Sequence, residues 1–229
     1  MIIKRFKKFS ILIGTLLFAL NFTIVSPVYA QESDITQSDT FETVDVSNYQ
    51  LIESEDSLVN LAQNLDMDVF TFVEEHELNT QSRGSQSNST IERNVHTYFA
   101  PKGFNNSHTA NHDIVYTATL TTTVVYNTSV SENVTYYKLV SASGSVHSIG
   151  GGTTIVSQEV RLVNQGSSLG GPGPSEAGPY YCYNLDWSYN APSTFKPVNS
   201  RALHAVGVWV KVNCRRASGT FSGTATNYM

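Results

Sequence analysis

Positive charge is missing from a long stretch of this chain. Residues 31–79 hold 13 of the 19 acidic residues and neither lysine nor arginine, a local charge of −13. Residues 80–229 carry 6 acids against 10 bases, a mild +4 without any basic run. That balance argues against a nucleic-acid partner, which needs a concentrated basic footprint. Charged residues make up only 14% of the chain, and beyond residue 93 acids are so sparse that no pair of carboxylates stands out for acid–base work. Cysteine is limited to Cys182 and Cys214, too few for a multiply cross-linked scaffold. After the first 30 residues no apolar run approaches the roughly 20 residues of a membrane span.

The one long apolar run lies at the start. Lys4, Arg5, Lys7 and Lys8 precede an apolar stretch from about Phe9 to Phe22, and Val28-Tyr29-Ala30 supplies small residues for cleavage. This is the three-part pattern of a secretory signal over residues 1–30. The expectation is an exported protein, secreted or held non-covalently at a cell wall, with no transmembrane anchor after cleavage. In an oxidising compartment two cysteines favour one disulfide. A Cys182–Cys214 bond would stabilise by roughly 3–4 kcal/mol through loop closure.

Composition then divides the chain. Residues 31–47 are polar and acidic and read as a disordered lead-in. Residues 48–80 form a first unit, and residues 81–93, rich in Ser, Asn, Gln and Gly, read as a linker. From residue 94 to 229 the texture is Thr, Val, Tyr and Ser with frequent glycine. In DIVYTATLTTTVVY, Ile114, Tyr116, Ala118, Leu120, Val124 and Tyr126 alternate onto one face, the period-2 mark of a half-buried strand. In HAVGVWVKVNC, Val206, Val208, Val210, Val212 and Cys214 do the same, and ASGTFSGTATNY reads as an edge strand. The fold class is mainly β: an antiparallel β-sandwich with one disulfide, about seven strands, preceded by a small α+β module.

That module is centred on DSLVNLAQNLDMDVFTFVEEHELN, residues 56–79. Leu58, Leu61, Ala62 and Leu65 have helical spacing, with Asp56 or Ser57 as cap. A second short helix is expected after Asp66, capped by Asp68 with Val69, Phe72 and Val73 inward. NYQLIES before and Leu78-Asn79 after complete a strand–helix–helix–strand unit. Glu55-Asp56-Ser57-Leu58, Leu61-Ala62, Met67-Asp68-Val69, Phe72 and His76-Glu77-Leu78-Asn79 resemble the LysM (lysin motif) family at matching helix-to-helix spacing. Glu55 stands where that family has a turn glycine, and His76 near its usual asparagine. The resemblance implies a groove for N-acetylglucosamine-containing glycans, peptidoglycan or chitin. Glu55, Asp56, Ser57 and Leu58 would line one side of it, and Leu78 and Asn79 the other.

Other motifs carry less. Gly166-Ser167-Ser168-Leu169-Gly170 fits G-x-S-x-G, with Asp186 and His204 downstream, but the following Gly-Gly-Pro-Gly-Pro forbids the helix of a nucleophile elbow. His108, His112 and Asp113 could approach a metal, yet their Asn-rich surroundings read as a loop; no metal site, no cofactor and no catalytic residue are expected. More informative is the run Tyr180, Tyr181, Tyr183, Trp187 and Tyr189, more aromatic surface than one strand face can bury. Such rings, with Asn and Asp beside them, suit sugar stacking or interface hot spots, and Trp209, opposite the valine face of its strand, could extend the patch. The function these features imply is a non-enzymatic binding protein for cell-wall or other glycan polymers. The alternative is a secreted antimicrobial or toxin-like effector whose acidic N-terminal region is a pro-segment cut near Arg83 or Arg93.

Overall fold

The computed structural model describes residues 41–83, 86–103, 113–147, 152–169, 171, 173–201 and 204–229. Residues 36–229 belong to one compact unit. In chain order its elements are β1 (Glu42–Asp45), β2 (Gln50–Ile52), α1 (Asp56–Asn64), β3 (Met67–Arg83), β4 (Gln86–Pro101), β5 (Asp113–Tyr116) and β6 (Ala118–Ser131). There follow β7 (Val134–His147), β8 (Thr154–Gln165), β9 (Glu176–Cys182), β10 (Asp186–Asn190), β11 (Val198–Asn199), β12 (Ala205–Arg216) and β13 (Gly219–Tyr228). The fold is mainly β and antiparallel throughout.

A large sheet runs β10-β7-β6-β4-β3-β2, with β11 also on β7. A smaller one runs β13-β12-β8-β9, and β1 pairs β5 as a short ribbon. The two main sheets share one core. Val124, Leu139, Ala142 and Val146 from the large sheet meet Val160, Leu162, Val206, Val208, Val210 and Val212 from the small one. The valine alternation read in β12 is therefore its buried face, and β13 is the sheet edge anticipated for the last segment.

Three inward carboxamides interrupt this apolar interface. Asn227 on β13 donates to the carbonyls of Arg93 and Thr122 at 3.2 and 2.9 Å, and its oxygen accepts from Arg93 Nε at 3.1 Å. Asn164 on β8 accepts from the Leu139 amide at 3.1 Å and donates to the Lys196 carbonyl at 2.7 Å. Gln158 donates to the carbonyls of Asn184 and Leu185 at 2.9 and 3.0 Å and accepts from Trp187 Nε1 at 3.1 Å. All three amides are almost fully buried. Burying an amide without partners is costly, so each fixes the offset between the elements that satisfy it.

Helix α1 closes the end between β13 and β3. Leu58, Leu61, Ala62 and Leu65 are buried, and Leu61 Cδ2 lies 2.8 Å from where a Cβ on Gly223 would stand. A side chain at 223 would force Leu61 to shift. The N-cap residue is Glu55, not Asp56 or Ser57, and its side chain makes no capping bond. Glu55 and Ser57 instead serve the open edge of β13. Ser57 Oγ accepts from Thr224 N at 2.9 Å and donates to the Thr224 carbonyl at 2.6 Å, while Glu55 Oε1 accepts from Thr226 N and Oγ1. An uncovered strand edge invites pairing with another chain, and these side chains occupy it.

Several expectations need correction. No second helix follows α1: Asp66 takes φ 56°, and Met67 onward is β3, paired with β4 from Met67↔Pro101 outward. Phe72 and Val73 are both buried, on opposite faces of the strand, because the large sheet is covered on both sides here. Of the stretch read as a linker, 81–93, the described residues 81–83 and 86–93 lie in the paired strands β3 and β4. Part of the expected lead-in is strand β1, so the β layers begin well before residue 94. The alternation from Ile114 to Tyr126 spans two strands. Ile114 and Tyr116 pack with Val46, Tyr49, Phe72 and Tyr98 on the outer side, whereas Ala118, Leu120, Val124 and Tyr126 face the main core.

The expected disulfide is absent, and both cysteines are buried thiols. Cys182 pairs Gln158, which pairs Val212, so β8 lies between the two cysteine-bearing strands. Two strand spacings are about 9–10 Å, and Cys214 lies two residues further along. A disulfide needs Cα atoms roughly 4.4–6.8 Å apart. Facing the same core was not enough.

Two measurements check this description. Alkylation of the denatured protein without reductant should add two labels, and reductant should leave the melting temperature unchanged. In urea unfolding, Asn227→Ala should cost about 2–3 kcal/mol by stranding its buried partners. Tyr126→Phe should be neutral or mildly stabilising, because the Tyr126 hydroxyl is buried with no hydrogen-bond partner among the described residues.

Candidate functional site

Because Val208, Val210 and Val212 point inward, Trp209, Lys211 and Asn213 point outward from β12. Register places Thr226, Trp209 and Arg161 in one row across the small sheet. The next row is Thr224, Lys211, Glu159 and Tyr181. Arg161 donates to Glu159 Oε1 through Nη2 and Nε at 2.8 and 3.1 Å, and its guanidinium carbon sits 5.3 Å from the centre of the Trp209 ring. Hydrogen bonding to Glu159 pushes the Arg161 pKa above its ordinary value, so the cation is permanent. Asn213 donates to Ser157 Oγ at 3.1 Å one row further on. At the sheet edge Tyr181 is 62% exposed and Tyr183 80%, with Leu185 beyond them at 47%. The result is one outward face bearing aromatic rings, a paired guanidinium and carboxylate, an ammonium and an amide.

The aromatic run read from sequence divides across this edge. Tyr181 and Tyr183 lie outside. Tyr180 stacks on Tyr189 at 4.3 Å between ring centres, Tyr189 neighbours Trp187 at 6.0 Å, and all three pack against the core. Trp187 is buried over Gly144, where a Cβ would stand 2.4 Å from the indole. Burial, then the 2.9 Å contact with Cys182 Sγ, pushes the Tyr189 pKa up to about 12. The run exceeds what one face can bury because it serves two.

The residues assigned to a glycan groove are not assembled. Glu55 and Ser57 are engaged with β13, and Leu58 is in the core. Asp56 borders a shallow depression with Leu51, Val59 and Phe70. From Phe70 to Leu78 and Asn79 the chain is extended along β3, roughly 30 Å at the usual rise per residue. Ser168 sits in an extended bridge to Val198, not on a strand-to-helix elbow. His108 and His112 lie outside the described residues, and Asp113 opens β5. Among the described residues no three potential ligands gather for a metal, and no helix is long and apolar enough to cross a membrane.

Sequence reading missed a polar cluster on the outer side of the large sheet. Glu74 contacts His76 Nε2 at 3.1 Å and His96 Nε2 at 3.4 Å, and accepts from Asn94 Nδ2 at 3.2 Å. His96 Nδ1 lies 3.2 Å from Thr121 Oγ1, and the His96 ring stacks on Tyr49 at 5.3 Å. The only signal was the i, i+2 spacing of Glu74 and His76, which meant nothing while the segment was read as helix.

Searches against protein-family models, curated proteins and solved structures return no match for this chain. The site therefore rests on its own geometry.

The cluster implies a pH dependence. Burial alone would raise the Glu74 pKa, but hydrogen bonds from His96, His76 and Asn94 outweigh it and bring it below its ordinary 4.5. Burial lowers the His96 pKa below its ordinary 6.5 despite Glu74. Both depressed values mean stability present at neutral pH and lost on acidification. The unfolding midpoint should be flat above pH 6.5, fall below it as unfolded His96 takes up a proton, and fall further below pH 4.5. His96→Asn should flatten the first limb.

Proposed function

We propose that this chain is an exported, non-enzymatic binding protein for cell-wall or other glycan polymers, with the outer face of the small sheet as its contact surface. The observation that carries the proposal is Tyr181, strongly exposed, in the same row as Glu159 and beside the Arg161–Trp209 pair. A sugar ring offers apolar C–H faces that stack on aromatic rings and hydroxyls that both donate and accept. Tyr181, Tyr183 and Trp209 supply the first complement; Glu159, Lys211 and Asn213 supply the second. The lysin-motif resemblance is not what the proposal rests on, since its residues are spent on α1 and on the β13 edge.

The effector alternative requires removal of the acidic region. Cleavage near Arg83 or Arg93 would take away α1 and β3, and with them Leu58, Leu61, Phe72 and Val73 from the two cores. Arg93 itself is held within β4, donating to Glu75 Oε1 at 2.6 Å and to Asn227. Nothing observed favours that route.

The exported protein should be retained on purified peptidoglycan or on chitin. Tyr181→Ala with Tyr183→Ala should lower retention about tenfold, the loss of about 1.4 kcal/mol, without changing the melting temperature. Absence of wild-type retention on both polymers sinks the reading.

A further inference from the structure

A second concavity lies where the far ends of β3, β4, β6 and β7 come together. It encloses about 360 Å³ and is lined by Asn79, Asn88, Ser89, Thr90, Asn127, Thr128, Ser129, Lys138 and Pro197. Such a volume is at the lower end of the roughly 300–1,000 Å³ of small-ligand clefts, but its lining is unlike theirs. No aromatic or aliphatic side chain other than Pro197 contributes, and the one charged lining group among the described residues is the Lys138 ammonium.

Backbone geometry accounts for the groove. Asn79, Thr90, Asn127 and Lys138 are successive register partners, so four strands place them in one row. The register slips just before Asn79 in β3, between Glu77 and Asn79, and again next to Lys138 in β7, where Val140 is passed over between Leu139 and Ser141. Bulges add local twist and re-aim side chains, and they recur beside binding sites. The bulged residues Leu78 and Val140 are exposed, 54% and 37%. Thr90 Oγ1 donates to Asn127 Oδ1 at 2.9 Å, which commits that oxygen and leaves the Asn127 amide hydrogens to donate.

We infer that this groove binds an acidic saccharide unit, a hydroxyl-rich ring bearing one carboxylate. Asn79, Asn88, Thr90, Asn127 and Ser129 fall on the same face as Lys138. Their carboxamides and hydroxyls match sugar hydroxyls, and Lys138 matches a single negative charge. Ser89 and Thr128 alternate to the other face, where Ser89 hydrogen-bonds the Glu77 carboxylate and Thr128 the Ser89 carbonyl. A nucleobase or an apolar ligand would find no ring to stack on and no surface to desolvate against. The site is independent of the Tyr181 face, being built on the other sheet.

The test is calorimetric titration of the full exported protein with a trigalacturonate and, separately, with the neutral maltotriose. The acidic trimer should bind at least fivefold more tightly, with a preference that shrinks as salt is raised. The titrations are repeated in a Tyr181→Ala, Tyr183→Ala background, which silences the face of the small sheet. There Lys138→Met should still abolish the preference, and Asn127→Ala should still weaken binding of both sugars. Melting temperatures of the variants confirm folding. No binding of the acidic trimer, equal binding of the two sugars, or binding indifferent to both groove substitutions overturns the inference. Polymer retention lost with Tyr181 and Tyr183 but kept in Lys138→Met would leave the other face standing on its own.

Discussion

The arrangement depends on carboxamides buried between the sheets. Valine against valine leaves two β layers free to slide, because apolar contact is non-directional. Asn227, Asn164 and Gln158 remove that freedom, since each is satisfied only at one offset. Asn164 does so at a place where the large sheet cannot serve itself: its acceptor takes the Leu139 amide directly beside the bulged Val140. Gln158 holds both the chain reversal at Asn184–Leu185 and the indole of Trp187. That one side chain therefore sets where β9 ends and β10 begins, and so which tyrosines of the run face outward.

The helix shows the same economy at an edge. A residue such as Glu55, at the mouth of a turn, suggests a ligand contact when only the local sequence is in view. Its partner is Thr226, 171 residues away. The β13 edge supplies backbone donors and acceptors at strand spacing, and Glu55 and Ser57 meet them with one carboxylate and one hydroxyl. Burial of Leu58 and Leu61 against Gly223 brings those groups into reach. The missing positive charge nearby is compatible with this use, because a carboxylate accepting backbone hydrogen bonds needs no cation.

What could be read from the sequence was what depends on period alone. The β12 face, the edge position of β13 and helix α1 follow from spacing within a dozen residues. Met67–Phe72 failed because Met67, Val69, Phe70, Phe72 and Val73 fit a helix as well as a strand buried on both faces; only the β1–β5 ribbon and Tyr49, remote in sequence, supply the second cover. The segment 81–93 failed because Ser, Asn and Gln are the composition both of a linker and of a hairpin that leaves the core. The disulfide failed on a distance in the sheet that strand order alone decides. Of the candidate site, Trp209 was legible as an outward ring and Tyr181 only as one member of an undivided aromatic run, while their connection through Arg161 and Glu159 required the register of β8.

The two outward faces differ in a way that follows from what lies behind them. The small sheet alternates valine with large residues, so its outer rows hold Trp209, Arg161, Lys211 and Tyr181, groups long enough to stack and pair on a flat surface. The large sheet is covered at one end by β1, β5 and Tyr49, and its strands run on past the core. Beyond the core no continuous apolar face is needed, and Asn, Ser and Thr supply much of the hairpin surface, with Leu78 and Val140 the exposed exceptions. Bulges at Leu78 and Val140 then twist that polar extension into a concavity. A side chain there is freed from packing, so its chemistry is available for a ligand; the constraint that shapes the core ends where the groove begins.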